Sequence, residues 1–160
     1  MIKFRQLVLA ITVALAGCAT VEQTLPVGSS KDAVLQRMGP PTAIYPLGAG
    51  TRLQYSWGPY GRLTYNVDLD ASGQVTATTQ SLQPSELNKL SGLRLSTGDI
   101  TRELGPPVII DKVASFSGDV WTWRYWEIGI PRFFHAYVDA SGIVVRTLST
   151  DEPTRPWRGD

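Results

Sequence analysis

Apolar and polar positions change period several times along this chain, and each change marks an element. Val34 and Met38 stand four apart with Leu35 beside them, the spacing of one helix face. Ser29 and Ser30 precede them as capping residues, and Asp32 suits a first turn. Gly39 and Pro40-Pro41 end the run. Ile100 and Leu104 repeat the pair after Ser96 and Asp99, and Gly105 with Pro106-Pro107 repeats the stop. After each stop the period becomes two. Leu53, Tyr55 and Trp57 alternate with Arg52, Gln54 and Ser56. Leu63, Tyr65, Val67 and Leu69 alternate with Arg62, Thr64, Asn66 and Asp68. A third strand follows over Gln74 to Ser81, and Pro84 to Leu90 reads as a short additional helix.

The order of these landmarks recurs. Met38-Gly39-Pro40-Pro41 returns as Leu104-Gly105-Pro106-Pro107, and Asp70-Ala71-Ser72-Gly73 returns as Asp139-Ala140-Ser141-Gly142. The second spacing exceeds the first by three residues, so the chain carries an internal duplication with one lengthened loop. The expected fold is α+β: two tandem repeats, each a short helix or helix pair on a three-stranded antiparallel sheet. The expected units are 28–83 and 84–150, with a tail over 151–160.

The two sheets differ on the face away from the helices. Trp121, Trp123 and Tyr125 keep the core positions of the first repeat, as do Phe134, Ala136 and Val138. Where the first repeat has Thr64, Asn66 and Asp68, the second has Phe133, His135 and Tyr137, with Trp126 on the neighbouring strand. These four residues form an expected protein-binding strip. The competing expectation is that the strip is covered by the other repeat, the long loop or the tail with Pro153, Pro156 and Trp157.

The N-terminus changes the picture. Lys3 and Arg5 precede an apolar run from Leu7 to Ala16, too short for a span of ~20 residues. A basic start, a short apolar core and small residues at its end describe a secretory signal over 1–17. Leu15-Ala16-Gly17-Cys18 resembles the lipobox of bacterial lipoproteins. That resemblance implies a diacylglycerol thioether on Cys18, an acylated new N-terminus and a lipidated tether over 18–27. Ala19 after the cysteine implies, by the same resemblance, the outer membrane, with the protein facing the periplasm.

Charge and chemistry remove other classes. The formal charge of +1 falls just below zero once Lys3 and Arg5 leave, so no basic field draws nucleic acid. Cys18 is the only cysteine, so no disulfide is expected. Five tryptophans and six tyrosines supply burial in its place. His135 is the only histidine and Asp139 lies too far along its strand to orient it, so no catalytic triad, metal site or cofactor is expected. Asp68 and Asp70 lack the remaining ligands of a calcium loop.

Capping serine, short helix, Gly-Pro, aromatic strand and a strand closing on Asp-x-x-Gly-x-Val resemble the SmpA/OmlA (BamE-like) lipoprotein domain, over 28–75 and again over 94–144. Tandem helix-plus-sheet units also resemble the β-lactamase inhibitor protein fold. The resemblance implies a non-enzymatic outer-membrane lipoprotein, a scaffold in envelope integrity or outer-membrane protein assembly, held by its lipid and bound to an envelope protein. The alternative is a periplasmic inhibitor or sensor that captures a soluble enzyme or envelope-derived ligand on its open sheet face.

Overall fold

A computed structural model describes residues 25–57 and 61–153. The expected signal, Cys18 and its lipid, and Trp157 of the tail lie outside the described residues.

The first unit opens with helix α1 (Lys31–Met38) and continues as a meander of β1 (Ala43–Leu47), β2 (Gly50–Ser56), β3 (Thr64–Leu69) and β4 (Val75–Gln80). Helix α2 (Pro84–Leu90) joins it to the second. That unit has helix α3 (Thr97–Leu104), then β5 (Ile109–Asp111), β6 (Gly118–Glu127), β7 (Ile130–Asp139) and β8 (Val144–Asp151). Each sheet is antiparallel, with its strands in chain order. No described helix is long and apolar enough to cross a membrane.

Both sheets therefore have four strands, not three. The additional ones, β1 and β5, sit at sheet edges directly after each Gly-Pro-Pro. Pro46 interrupts any strand signal in β1, and β5 is three residues long. Edge strands tolerate both conditions, because one side of the ladder needs no donor.

The duplication extends to individual hydrogen bonds. Ser30 and Ser96 cap α1 and α3 by accepting from the backbone of Ala33 and Asp99. Asp99 returns a bond to Ser96 N–H and completes a capping box. Gly39 and Gly105 end the helices at φ 77° and 78°, a left-handed conformation that glycine adopts without strain. The Tyr55 hydroxyl donates to Gly39 C=O at 3.2 Å, and the Trp123 indole donates to Gly105 C=O at 3.0 Å. Asp70 and Asp139 each accept from the serine two residues on, inside the two Asp-Ala-Ser-Gly turns. The backbone N–H of Gln74 with the Ser72 hydroxyl at Asp70, and the Ser141 hydroxyl with the Ile143 N–H at Asp139, hold both carboxyls below the usual carboxylate range.

Two cores result. Val34, Leu53, Tyr55, Val67, Leu69 and Val75 form the first. Leu25 is buried with them, so the expected tether already belongs to the core there. Ile100, Leu104, Trp123, Tyr125 and Phe134 form the second, with Leu82 and Leu87. Trp57 is a correction: β2 ends at Ser56, and the indole lies exposed with its ring edge against Tyr65. Asp151 is the last residue of β8 and not part of a free tail.

The β6–β7 hairpin closes on Ile128 and Gly129 at φ 49° and 78°. Positive φ at both central residues is the preference of Asn-Gly, and a β-branched side chain there is strained. Among the described residues, Ile128 is the only non-glycine at positive φ, and it is 98% exposed. Ile128→Asn is expected to raise stability by about 1 kcal/mol, read by thermal unfolding. An unchanged or lower melting temperature would mean that the isoleucine contributes contacts which offset its strain.

Candidate functional site

The outer faces of the two sheets serve opposite ends. On the first sheet, Arg52, Gln54, Thr64, Asn66 and Asp68 turn away from the core, and Gln54, Thr64 and Asn66 are nonetheless buried. Helix α3 covers them with its C-terminal end. Helix termini leave four carbonyls without intrahelical partners. Gln54 Nε2 donates to Thr101 C=O and Arg102 C=O, Asn66 Nδ2 to Glu103 C=O at 2.8 Å, and Thr64 Oγ1 to Leu104 C=O at 2.9 Å. The first sheet thus meets the last four carbonyls of the helix, of which Thr101 C=O also accepts from Gly105 N–H at 2.8 Å. Arg52 places positive charge at the negative end of the helix and pairs with Asp68 and Glu103. Those carboxylates raise its pKa still further above the ordinary arginine value.

No described helix lies on the corresponding positions of the second sheet: α2 and α3 pack on its core side and α1 packs in the first core. Thr122 replaces Gln54 and His135 replaces Asn66, opposite each other across β6 and β7. The imidazole bridges two threonines, Nδ1 with Thr122 Oγ1 and Nε2 with Thr150 Oγ1, each at 2.9 Å. Burial pushes His135 below the ordinary histidine range, which favours the neutral ring. Phe133 stacks edge-on against it.

The strip expected from sequence does share one face. Phe133, His135 and Tyr137 alternate with core residues on β7, and Trp126 lies on the same side of β6. The three β7 side chains are half-buried, and Trp126 is exposed. Their cover is a layer of guanidinium groups. Arg124 lies over Phe133, Arg146 over Tyr137 at 3.7 Å, and Arg62 of the first unit over Trp126 at 4.6 Å. Phe116 adds an edge contact to Tyr137. Glu152 pairs with both Arg62 and Arg124 and ties the end of β8 to the first unit. Alternation along the chain marked the aromatic members. It could not mark Arg62, which lies in the loop before β3 of the other unit, nor Arg146 on β8 and Glu152 just beyond it.

Reactive chemistry is sparse. Among the described residues no cluster of three or more His, Cys, Asp or Glu could hold a metal. Asp139 is committed to its turn, and His135 meets threonines instead of a carboxylate. One cavity of about 130 Å³ lies between the first sheet and helices α2 and α3. Its charged wall, Arg52, Glu86, Lys89 and Glu103, is joined in salt bridges.

Comparison with known proteins finds no matching family model and no matching curated protein. A crystal structure of a DUF4309 family protein (YjgB) from Bacillus subtilis subsp. subtilis str. 168 is similar to 81% of this chain and 84% of that one. The identity is 14% and the TM-score 0.30. The structure itself defines the class: an α+β protein with two four-stranded antiparallel sheets and three described helices.

Proposed function

We propose that this protein is a non-enzymatic interaction module of the bacterial envelope, held at the outer membrane by lipid on Cys18 and binding a protein partner through the open face of its second sheet. One observation carries the binding reading. The duplication supplies two equivalent sheet faces; the chain's own helix fills the first, and no described helix fills the second. That face joins Trp126, Phe133 and Tyr137 to Arg124 and Arg146. Tryptophan, tyrosine and arginine are the residues most enriched where binding energy concentrates. The motifs shared with SmpA/OmlA (BamE-like) domains support a scaffold in envelope maintenance, and the tandem-sheet likeness to β-lactamase inhibitor protein supports protein binding on an open sheet face.

Arg146 and Leu148 are exposed on β8, opposite Tyr137 and His135 on this face. The double variant Arg146→Glu, Leu148→Asp is expected to fold, because neither residue lies in a core. Crosslinked membranes should yield a partner with the wild type that the variant loses. A membrane-assembly protein would support the scaffold, and a soluble enzyme would favour the inhibitor. Identical partners in both samples would show that this face is not the interface.

A further inference from the structure

At one end of the molecule three apolar side chains stand clear of any core. Ile128 is 98% exposed, Ile130 54% and Trp126 48%. They belong to one hairpin tip, where Glu127 and Ile130 pair and the turn is only two residues long. Arg62 reaches Trp126 from the first unit. Solvent disfavours an isoleucine at such a point, and the backbone disfavours it independently, since φ there is 49°. Two separate penalties at one residue argue for a use of its side chain.

We propose that the β6–β7 tip enters the surface of a lipid bilayer, with Ile128 leading. A bilayer fits the tip in shape, because it receives a protruding point without a matching pocket. The charges fit as well. Arg132 pairs with Glu127 and Asp151, and Arg62 and Arg124 pair with Glu152, so among the described residues the charges behind the tip are paired and balance. A tight hairpin whose strands pair up to the turn brings few unsatisfied backbone groups into hydrocarbon. Trp126 beneath Arg62 is an amphipathic pair suited to the headgroup level. Ile128 lies two residues further, about 7 Å along the strand, the depth of the acyl boundary. Entry is therefore hydrophobic and independent of anionic lipid.

Cysteine scanning of the full chain tests this. Ile128→Cys, labelled with an environment-sensitive fluorophore, is reconstituted in phosphatidylcholine vesicles containing acyl-chain spin labels. Ile110→Cys is the control, since Ile110 is exposed on β5 and pairs with Trp121, seven residues before the tip. Quenching at 128 and none at 110, unchanged when anionic lipid is added, is the expected result. A label at 128 that stays open to aqueous iodide, or equal quenching at both sites, overturns the proposal. Shielding at 128 in native membranes but not in protein-free vesicles overturns it too, and makes the occupant a protein. Label stoichiometry reads the anchor separately: acylated Cys18 leaves one reactive thiol per chain, and a free Cys18 leaves two. In the latter case Cys18→Ser, Ile128→Cys gives the depth alone.

Discussion

Trp123→Ala is expected to destabilise the protein by about 4 kcal/mol, a large share of the ~5–15 kcal/mol typical of a folded domain. The indole is almost fully buried, packs against Phe134 and Trp121, and sits beneath α3 with Ile100 and Leu104. Truncation removes most of that contact area and leaves a cavity between sheet and helix. It also removes the donor to Gly105 C=O, a buried carbonyl at the turn out of α3. Trp123→Phe separates the two losses: it keeps a ring and removes the bond, and should cost about 2 kcal/mol. Denaturant unfolding of both variants measures the difference. If alanine and phenylalanine cost the same, the bond and not the packing dominates at this site. Tyr55 occupies the equivalent place in the first unit and makes the equivalent bond to Gly39, so the comparison reports on how the repeat is locked after each helix.

Those locks explain why so much of the fold is legible in the chain. A serine that can cap, a glycine that can reverse and a proline pair that cannot continue define α1 and α3 by local chemistry alone. Alternation then defines the inner strands β2, β3, β6 and β7, since each has one wet or polar face and one core face. The edges β1 and β5 escaped because an edge strand answers to looser rules, as Pro46 in β1 shows. The aromatic strip was legible as a face and not as a surface. Whether Phe133 and Tyr137 meet solvent depends on Arg124 and Arg146 above them, and the rotamers of long side chains leave no period in a sequence.

The first sheet's outer face was illegible for a different reason. Arg52, Gln54, Thr64, Asn66 and Asp68 alternate with apolar residues in the pattern of a strand that faces water. A helix C-terminus is itself polar, and it asks for the same donors that water would satisfy. No hydrophobic pattern distinguishes the two. The consequence is that two units read as tandem beads are joined through their polar faces. The cation Arg52, its acids Asp68 and Glu103, and three neutral donors hold α3 against the sheet before it.

That joint sets the second large expectation. Asn66→Leu should cost about 3 kcal/mol, although leucine matches asparagine closely in size. The amide donates to Glu103 C=O and to Ser81 Oγ, and its oxygen accepts from Gln54 at 3.1 Å. Leucine leaves these partners without their bonds in a buried place. Gln54→Leu should cost a comparable amount, since that side chain serves Thr101 and Arg102. The pair is bonded, so the double variant should lose less than the sum of the singles. A double-mutant cycle by urea unfolding measures this. Full additivity would mean that the two amides act on α3 independently. A loss below 1 kcal/mol for either single would mean that α3 rests on the sheet through Arg52 and its own core residues alone. Hydrogen exchange at the end of α3 gives a second reading, because release of its carbonyls should raise exchange there while α1 stays protected. In the second sheet the same two positions carry Thr122 and His135, which satisfy each other and offer a helix end no amide donor. Divergence at these two residues removes the amide donors by which the first sheet holds a helix end, and no described helix lies on that face of the second sheet.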